Sequence, residues 1–240
     1  MFTFDAKKHI YTLDGKPMTG VTTILGVIAK PALVGWAAKE TANWIRSHCD
    51  YDPNDDEEGN NIYRVYEKDL QEAVKAHNKK KTDAGSKGTD VHAEVEEYIK
   101  TCISAGGTAQ FIVPNDEMLL KFIAWAVNNT VKFLASEQRV YSKEWFVAGT
   151  LDFSFEKDGK RFIGDLKTMK KVWDRTPFFQ TAAYRKMSIE MGEAHYDGSC
   201  IVNISKEPGH ELTDHWSYDF EGDQKAFEAA LTLYRQLNNF

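Results

Sequence analysis

The stretch from Gly149 to Arg185, "GTLDFSFEKDGKRFIGDLKTMKKVWDRTPFFQTAAYR", contains the pattern that decides the fold. Asp158-Gly159 is a type I′ turn signal, and the residues on both sides of it alternate between apolar and polar types. We therefore predict a β-hairpin centred on this turn, followed by a helix from about residue 176 to about residue 192.

The register of this hairpin follows from counting away from its turn. With a two-residue loop, Asp152 lies directly opposite Asp165, and Thr150 lies opposite Lys167. Asp152, Asp165 and Lys167 then share one face of the hairpin. The alternation places a larger apolar set on the other face, which we predict to be the core: Leu151, Phe153, Phe155, Phe162 and Leu166.

Two facing aspartates repel each other, because directly opposed residues have Cβ atoms roughly 4.5–5.5 Å apart. A shared proton, a nearby lysine or a divalent cation would each offset the repulsion. The alternative is a hydrated face on which both carboxylates meet water and no ligand binds. The hairpin alone does not choose between a hydrated face and a metal site.

Three further features favour chemistry at the aspartate pair. Lys167 follows the second aspartate by two residues and so lies on the same face. Gln180 and Tyr184 are four residues apart on the predicted helix, where an amide and a phenol could together hold a phosphate backbone. His92 and Glu96 offer an imidazole and a carboxylate from an upstream helix. Each feature by itself is common in ordinary structural positions.

The remaining pattern predicts an α/β (α+β) protein. A hairpin around Asp14-Gly15 opens the chain, and residues 137–168 predict three antiparallel strands. Thr89 or Asp90 is the predicted cap of the helix that carries His92. Further helices are predicted over residues 32–48, 63–79, 91–105, 115–135 and 223–240, and further strands over residues 196–205 and 210–220. We expect a single domain over residues 1–240.

Composition narrows the function classes. The chain has 240 residues, 42% of them hydrophobic, which is enough for a sizeable core. No stretch approaches the roughly 18 apolar residues of a membrane helix, and the first residues lack the apolar core of a signal peptide, so we expect a cytoplasmic protein of the cell or host that makes it, with no membrane partner. Motifs for a P-loop, a dinucleotide fold, HExxH or GxSxG are absent from the sequence.

Charge is unevenly distributed. Residues 50–58, "DYDPNDDEE", hold six acids, which equals the whole net charge of −6, so the rest of the chain is neutral. We interpret this run as a solvated loop. A basic cluster follows in "NKKKTDAGSKG", where Lys79, Lys80, Lys81 and Lys87 could contact phosphates or could simply be solvated.

Four short motifs in order, "GTDVHAEVEEY", "GTLDF", "GDLKT" and "QTAAY", make the sequence resemble the PD-(D/E)XK nuclease superfamily, and most closely its RecB-like branch, which includes many phage exonucleases. The resemblance implies a restriction-endonuclease-like core over about residues 85–220, with a central mixed sheet, an antiparallel meander, flanking helices and an N-terminal helical elaboration. Leu151 stands where the family name has proline, which the chemistry does not require.

Carried over by position, the resemblance implies a metal site and a catalytic set. Its metal ligands are His92, Asp152, Asp165 and the backbone carbonyl of Leu166, and its catalytic residues are Asp152, Asp165, Lys167 and Gln180. Gln180 and Tyr184 complete the DNA-facing side in this interpretation. Independently of the resemblance, the basic cluster of Lys79, Lys80, Lys81 and Lys87 is a further candidate for DNA binding. Glu96 and Glu137 are candidates for a second metal or for a supporting role.

The expected function is therefore metal-dependent DNA hydrolysis, by an exonuclease of recombination, repair or phage DNA processing. One or two Mg²⁺ or Mn²⁺ ions are expected, and the imidazole favours Mn²⁺. Three widely spaced cysteines, Cys49, Cys102 and Cys200, argue against an iron–sulfur cluster. DNA is the expected partner, with a helicase, a recombinase, a single-strand-binding protein or further copies of the chain as additional ones. The alternatives are a non-catalytic nucleic-acid-binding module on the same fold and, less well supported, a two-carboxylate glycosidase.

Overall fold

The computed structural model describes residues 1–28, 30–52, 62–193, 195–207 and 209–238, without the side chains of residues 31, 32, 52 and 83–89. The chain forms two units, one of Met1–Ile28 with Asp90–Phe240 and one of Ala29–Thr89. Most of the predicted acidic loop, residues 53–58, lies outside the described residues.

The helices and strands alternate along the chain. The strands are β1 (Phe2–Asp5), β2 (Ile10–Leu13), β3 (Lys16–Gly20), β4 (Asp50–Asp52), β5 (Ile62–Arg64), β6 (Lys132–Ser142), β7 (Val147–Lys157), β8 (Lys160–Lys167), β9 (Gly198–Asn203) and β10 (Thr213–Ser217). The helices are α1 (Val21–Leu25), α2 (Pro31–His48), α3 (Glu67–Ser104), α4 (Glu117–Asn128), α5 (Thr176–Glu190) and α6 (Phe220–Asn238).

A mixed sheet lies at the centre of the first unit. Its strands follow the order β1-β2-β3-β7-β8-β9-β10, and β6 pairs with β7. β6, β7 and β8 form the predicted antiparallel meander, whereas β3 runs parallel to β7 and β8 runs parallel to β9. The protein is therefore a mixed α/β fold with a central mixed sheet flanked by helices.

The predicted hairpin register is confirmed over most of its length. Asp158 and Gly159 both have positive φ, 52° and 72°, as a type I′ turn requires. β7 and β8 pair from Lys157 opposite Lys160 to Phe153 opposite Gly164. The Asp14-Gly15 turn is confirmed as well, with φ of 50° and 77°, although the opening hairpin is extended by a third strand.

Both faces of the sheet are covered by helices. Phe153, Phe155, Phe162 and Leu166 pack with the end of α3 and with α4. Ile163 packs on the opposite face with α1, α5 and α6. Leu151 belongs to this second cluster, so its predicted place beside Phe153 is wrong. The alternation of β7 breaks at Asp152, next to a residue of β6, Glu137, whose φ of 49° interrupts the regular strand.

Two predicted boundaries are also wrong. α3 runs unbroken over 38 residues, so neither Thr89 nor Asp90 caps a new helix. Each glycine in this stretch costs only about 1 kcal/mol relative to alanine in a helix, which does not break one. α4 begins as predicted, where the Asp116 carboxylate accepts from the N–H of Leu119 at 2.9 Å, but it ends at Asn128 and gives way to β6 at residue 132.

The second unit consists of α2, the short pair β4–β5 and the first part of α3. The α2 prediction is confirmed to within one residue. Trp44 stacks on His48 with ring centroids 4.4 Å apart, and Lys80 forms an ion pair with Glu40. In neither unit does the described part contain a helix both long and apolar enough to cross a bilayer.

Candidate metal and catalytic site

The candidate site lies at a gap along one edge of β7. The start of β7 pairs with β3 as far as Ala148, and its later part pairs with β8 from Phe153 onward. In the described pairing, residues 149–152 thus have no strand partner on this edge, since β6 occupies the other edge. A groove of about 500 Å³ opens at the gap, with Asp152 in its wall.

Inside the gap, the side chain of Asp152 takes the place of a backbone carbonyl as a hydrogen-bond acceptor for β8. Its Oδ2 accepts a hydrogen bond from the N–H of Leu166 at 2.8 Å. The ladder stops at Phe153–Gly164, one position before the predicted Asp152–Asp165 pair, so the two aspartates follow the register but are not a ladder pair. Burial raises the pKa of Asp152, against the opposing effects of the Lys167 charge and the Leu166 amide.

Asp165 is enclosed, with only 1% of its surface exposed. Its Oδ1 accepts from Lys167 Nζ at 2.9 Å and from Gln180 Nε2 at 3.0 Å. Its Oδ2 lies 2.8 Å from the same ammonium, so Lys167 faces both oxygens of the carboxylate. Burial raises the pKa of Asp165 to about 6, although the charge of Lys167 lowers it. The alternative of a hydrated face therefore does not hold at Asp165, which is buried.

Lys167 holds its proton in this environment. Its side chain is 22% exposed. Burial by itself would lower the pKa of Lys167, but the carboxylates of Asp165 and Asp152 outweigh that effect and raise it. Of the three ways to offset the aspartate repulsion, the structure shows the nearby lysine.

A residue of α5, Gln180, holds the Asp165 carboxylate through a hydrogen bond. Gln180 Nε2 donates to Asp165 and also lies 3.1 Å from the hydroxyl of Tyr184, one turn further along the helix. The Tyr184 ring packs against Gly149, where an added Cβ would lie 2.5 Å from its Cε1. Tyr184 is only 3% exposed, so it acts in the structure as a support for Gln180. Direct contact of Tyr184 with DNA stays a prediction.

His92 approaches the aspartates from α3. Its Nδ1 lies 3.9 Å from Asp152 Oδ2, and its side chain is 36% exposed. Burial lowers the pKa of His92, and the charge of Lys167 lowers it further. The imidazole is therefore neutral near pH 7, which is the form that binds metal ions.

A third carboxylate, Glu137, extends the row of acids. The pairs Ser136–Phe153 and Gln138–Leu151 place Glu137 of β6 across from Asp152. Burial raises the pKa of Glu137 to about 7, and the charges of Asp152 and Glu96 add to the effect. Three adjacent strands thus each contribute one acid to the site. The sequence suggested Glu137 only as a candidate for a second metal or for a supporting role, at the start of a predicted strand that in fact begins at Lys132.

The donor set suits Mg²⁺ or Mn²⁺. Two carboxylates, Asp152 and Asp165, and the neutral imidazole of His92, whose Nδ1 lies 3.9 Å from Asp152 Oδ2, are the kinds of ligand that such an ion takes. As the side chains stand, no three His, Cys, Asp or Glu residues in the described part are arranged to hold an ion. Lys167 occupies the Asp165 carboxylate instead, so a cation bound there would displace the ammonium. Coordination by the Leu166 carbonyl stays a prediction.

No pattern in the sequence predicted the opposite wall of the groove, which residues of β2, β3 and α1 supply. Tyr11 of β2 hydrogen-bonds through its hydroxyl to the hydroxyl of Thr150, in the gap, at 2.9 Å. Thr22 and Thr23, at the start of α1, also line the groove. No pattern in the sequence links residues 139 positions apart, so only the three-dimensional structure reveals this wall.

The predicted basic cluster belongs to the other unit. Lys79, Lys80 and Lys81 lie exposed on α3 within Ala29–Thr89, and Lys80 is paired with Glu40. The side chain of Lys87 lies outside the described residues. DNA binding by these four lysines stays a prediction.

Comparison with known proteins adds little. No family model matches the chain, and no curated protein matches it. Among solved structures, "Crystal structure of SSO0001" aligns at 14% identity over 48% of this chain, with a TM-score of 0.29. The match covers 58% of that chain's own length. So weak a similarity supports no statement about fold or function.

Proposed function

We propose that this protein is a metal-dependent DNA nuclease with the restriction-endonuclease-like core of the PD-(D/E)XK superfamily. The observation that carries the proposal is the contact of Lys167 with Asp165, beside Asp152, at a gap in the sheet that opens into a groove. A pair of carboxylates with an adjacent ammonium suits the hydrolysis of a phosphodiester, whose transition state is strongly anionic.

His92, Asp152 and Asp165 would hold one or two Mg²⁺ or Mn²⁺ ions. Such an ion supplies a hydroxide-like nucleophile and neutralises charge on the scissile phosphate. The neutral state of His92 and the position of its Nδ1, 3.9 Å from Asp152 Oδ2, support this assignment.

Lys167 acts in its protonated form, as an ammonium, in this proposal. Because its pKa is raised, it is not available as a general base near pH 7. Its role is to orient the attacking water and to stabilise negative charge on the phosphate. Gln180 keeps the Asp165 carboxylate in a fixed orientation, and Tyr184 keeps Gln180 in place.

The substrate is a DNA strand whose scissile phosphate enters the groove at the β7 gap. In the metal-free arrangement Lys167 pairs with Asp165 and does not line this groove, whose described walls contain no Lys or Arg and offer hydroxyl groups from several threonines and from Tyr11. Neutral donors of this kind position a phosphate backbone without reading its sequence. We expect exonuclease activity in recombination, repair or phage DNA processing.

One gel assay tests the proposal. End-labelled single-stranded and double-stranded DNA, linear and circular, is incubated with the protein in Mg²⁺, in Mn²⁺ or in EDTA. We expect cleavage of linear DNA in either metal, at least as fast in Mn²⁺ as in Mg²⁺, and none in EDTA. DNA that binds but stays intact in both metals would instead identify a non-catalytic binding module.

A further inference from the structure

A loop of residues 168–175 joins the two residues that contact Asp165. It begins directly after Lys167 and ends where α5 starts, one turn before Gln180. Both ends are fixed, since Met169 N–H donates to Asn203 Oδ1 at 3.2 Å and Arg175 pairs with the buried Asp223 at 2.8 Å. The loop is therefore a defined rim of the candidate site.

Trp173 stands on this rim with its indole in solvent. It is 72% exposed, more than any other aromatic residue in the described part of the chain. The ammonium of Lys171 lies 5.4 Å from the centre of its ring, a cation–π arrangement. An indole left in water forgoes a large burial energy, and tryptophan is one of the residues that are enriched at binding interfaces.

Two lysines lie close to Trp173 in the sequence. Lys170 and Lys171 precede it on the loop, and the carboxylate of Asp174, which follows it, accepts a hydrogen bond from the N–H of Thr176 at 2.8 Å. Lys170 is paired with Glu207 at 2.9 Å on the exposed surface, and such a pair exchanges readily for another anion. An aromatic face flanked by lysines matches surfaces that bind single-stranded nucleic acid.

We propose that the loop of residues 168–175 is a binding platform for single-stranded DNA, on which Trp173 stacks one unpaired base and Lys170 and Lys171 contact the flanking phosphates. The proposal rests on the proposed nuclease function, because the loop adjoins that site. The proposed ligand is a single strand because the bases of a duplex are already stacked on one another and offer no free face to an indole. Stacking tolerates any base, so the platform does not select a sequence.

The test measures binding without hydrolysis. A fluorescein-labelled oligothymidine of about 12 nucleotides, within the range of known single-strand site sizes, is titrated in EDTA and followed by anisotropy. We expect Trp173→Ala to raise the Kd at least about fivefold, the lower end for one base stacked on an aromatic ring, and Trp173→Phe to recover most of the affinity. Phe111→Ala is the matched control, since Phe111 is 60% exposed on another loop and should be neutral.

Two further measurements separate the outcomes. Binding of a blunt duplex should be unchanged in Trp173→Ala, and the melting temperature should match wild type because the side chain is exposed. An unchanged Kd for the single strand in Trp173→Ala, or equal losses of affinity in the Ala and Phe variants, would contradict the platform proposal. The exposed indole would then be a candidate contact for a protein partner. Tight Trp173-dependent binding without any cleavage in Mn²⁺ would overturn the nuclease proposal and leave the platform standing.

Discussion

Lys167 Nζ lies 2.9 Å from Oδ1 of Asp165 and 2.8 Å from its Oδ2, so one ammonium faces both oxygens of a carboxylate that is 1% exposed. A bound divalent cation would need the same oxygens. The lysine therefore serves two purposes in our account: it neutralises the aspartates before metal binds, and it becomes available to the phosphate when metal takes its place.

Removal of that ammonium should separate metal affinity from turnover. We expect Lys167→Ala to bind Mn²⁺ at least as tightly as wild type, because no cation competes for Asp165, while kcat falls by about two to four orders of magnitude. Isothermal titration with Mn²⁺ and single-turnover cleavage measure the two quantities. The control is Lys157→Ala, at a half-buried lysine that pairs with Asp158 in the hairpin turn.

The lysine cluster of the second unit should behave in the opposite way. Replacing Lys79 and Lys81 should weaken DNA binding and reduce the slope of log K against log salt by about 0.9 per lost phosphate contact on a duplex. Equal losses of turnover and affinity in this variant and in Lys167→Ala would show that Lys167 is only another phosphate contact.

Substitution of Gln180 tests whether its hydrogen bond orients the Asp165 carboxylate. Its amide is 3.0 Å from Asp165 Oδ1, so Gln180→Ala should let the carboxylate rotate and lower metal affinity or kcat by about 10- to 100-fold, as for other residues that orient metal ligands. DNA affinity in EDTA should stay unchanged. The control is Gln224→Ala, a helical glutamine that bonds only to Glu228 in the described structure. Wild-type kinetics in Gln180→Ala would limit Gln180 to packing.

His92 should contribute to metal binding and to metal choice. Loss of the imidazole in His92→Ala is expected to weaken Mn²⁺ binding by at least about tenfold and to reduce any preference for Mn²⁺ over Mg²⁺, since nitrogen ligands favour Mn²⁺. Metal titrations of cleavage rate measure both effects. His195→Ala, at an exposed histidine that contacts Arg185, is the control. Full turnover of His92→Ala at limiting Mn²⁺ would show that His92 has only a structural role.

The raised pKa of Asp165 predicts a pH dependence of stability. Its pKa of about 6 in the folded protein lies above its value in the unfolded chain, so the folded state binds this proton more tightly. The resulting stabilisation is fully present below about pH 4 and is lost as the pH rises through about 6.

Metal-free Asp165→Asn should therefore gain stability relative to wild type with rising pH, by up to about 3 kcal/mol in the free energy of unfolding between about pH 4 and about pH 8. Urea denaturation in EDTA at several pH values measures the difference. Saturating Mn²⁺ should raise the stability of wild type but not of the variant. A difference between the two proteins that does not vary with pH would show that Asp165 is not protonated in this range.

Much of the site was predictable because it depends on local pattern. The Asp158-Gly159 turn determines the register by counting, and i, i+4 spacing places Gln180 with Tyr184. The same reasoning failed at Leu151, because strand alternation assumes regular pairing and Glu137 interrupts the neighbouring strand. Local rules describe an undistorted sheet, and this site occurs where the sheet is distorted.

Other features depend on distant parts of the chain. The pairing of β3 with the start of β7 creates the gap that exposes Asp152, and no local pattern in residues 16–20 indicates a parallel partner near residue 147. The continuous α3 was missed for a different reason. Its glycines and lysines are typical of a loop, but their helix propensities summed over the stretch are not unfavourable enough to stop the helix.

The central claim is that Asp165 takes part in metal-dependent hydrolysis of DNA. Its most direct test is single-turnover cleavage of linear DNA in Mn²⁺ by wild type and by Asp165→Asn, with melting temperature and DNA affinity measured on the same preparations. We predict that wild type cleaves in Mn²⁺ and not in EDTA, and that Asp165→Asn folds and binds DNA as wild type does but does not cleave. Cleavage by the variant at the wild-type rate, or cleavage by wild type in EDTA, would contradict the account.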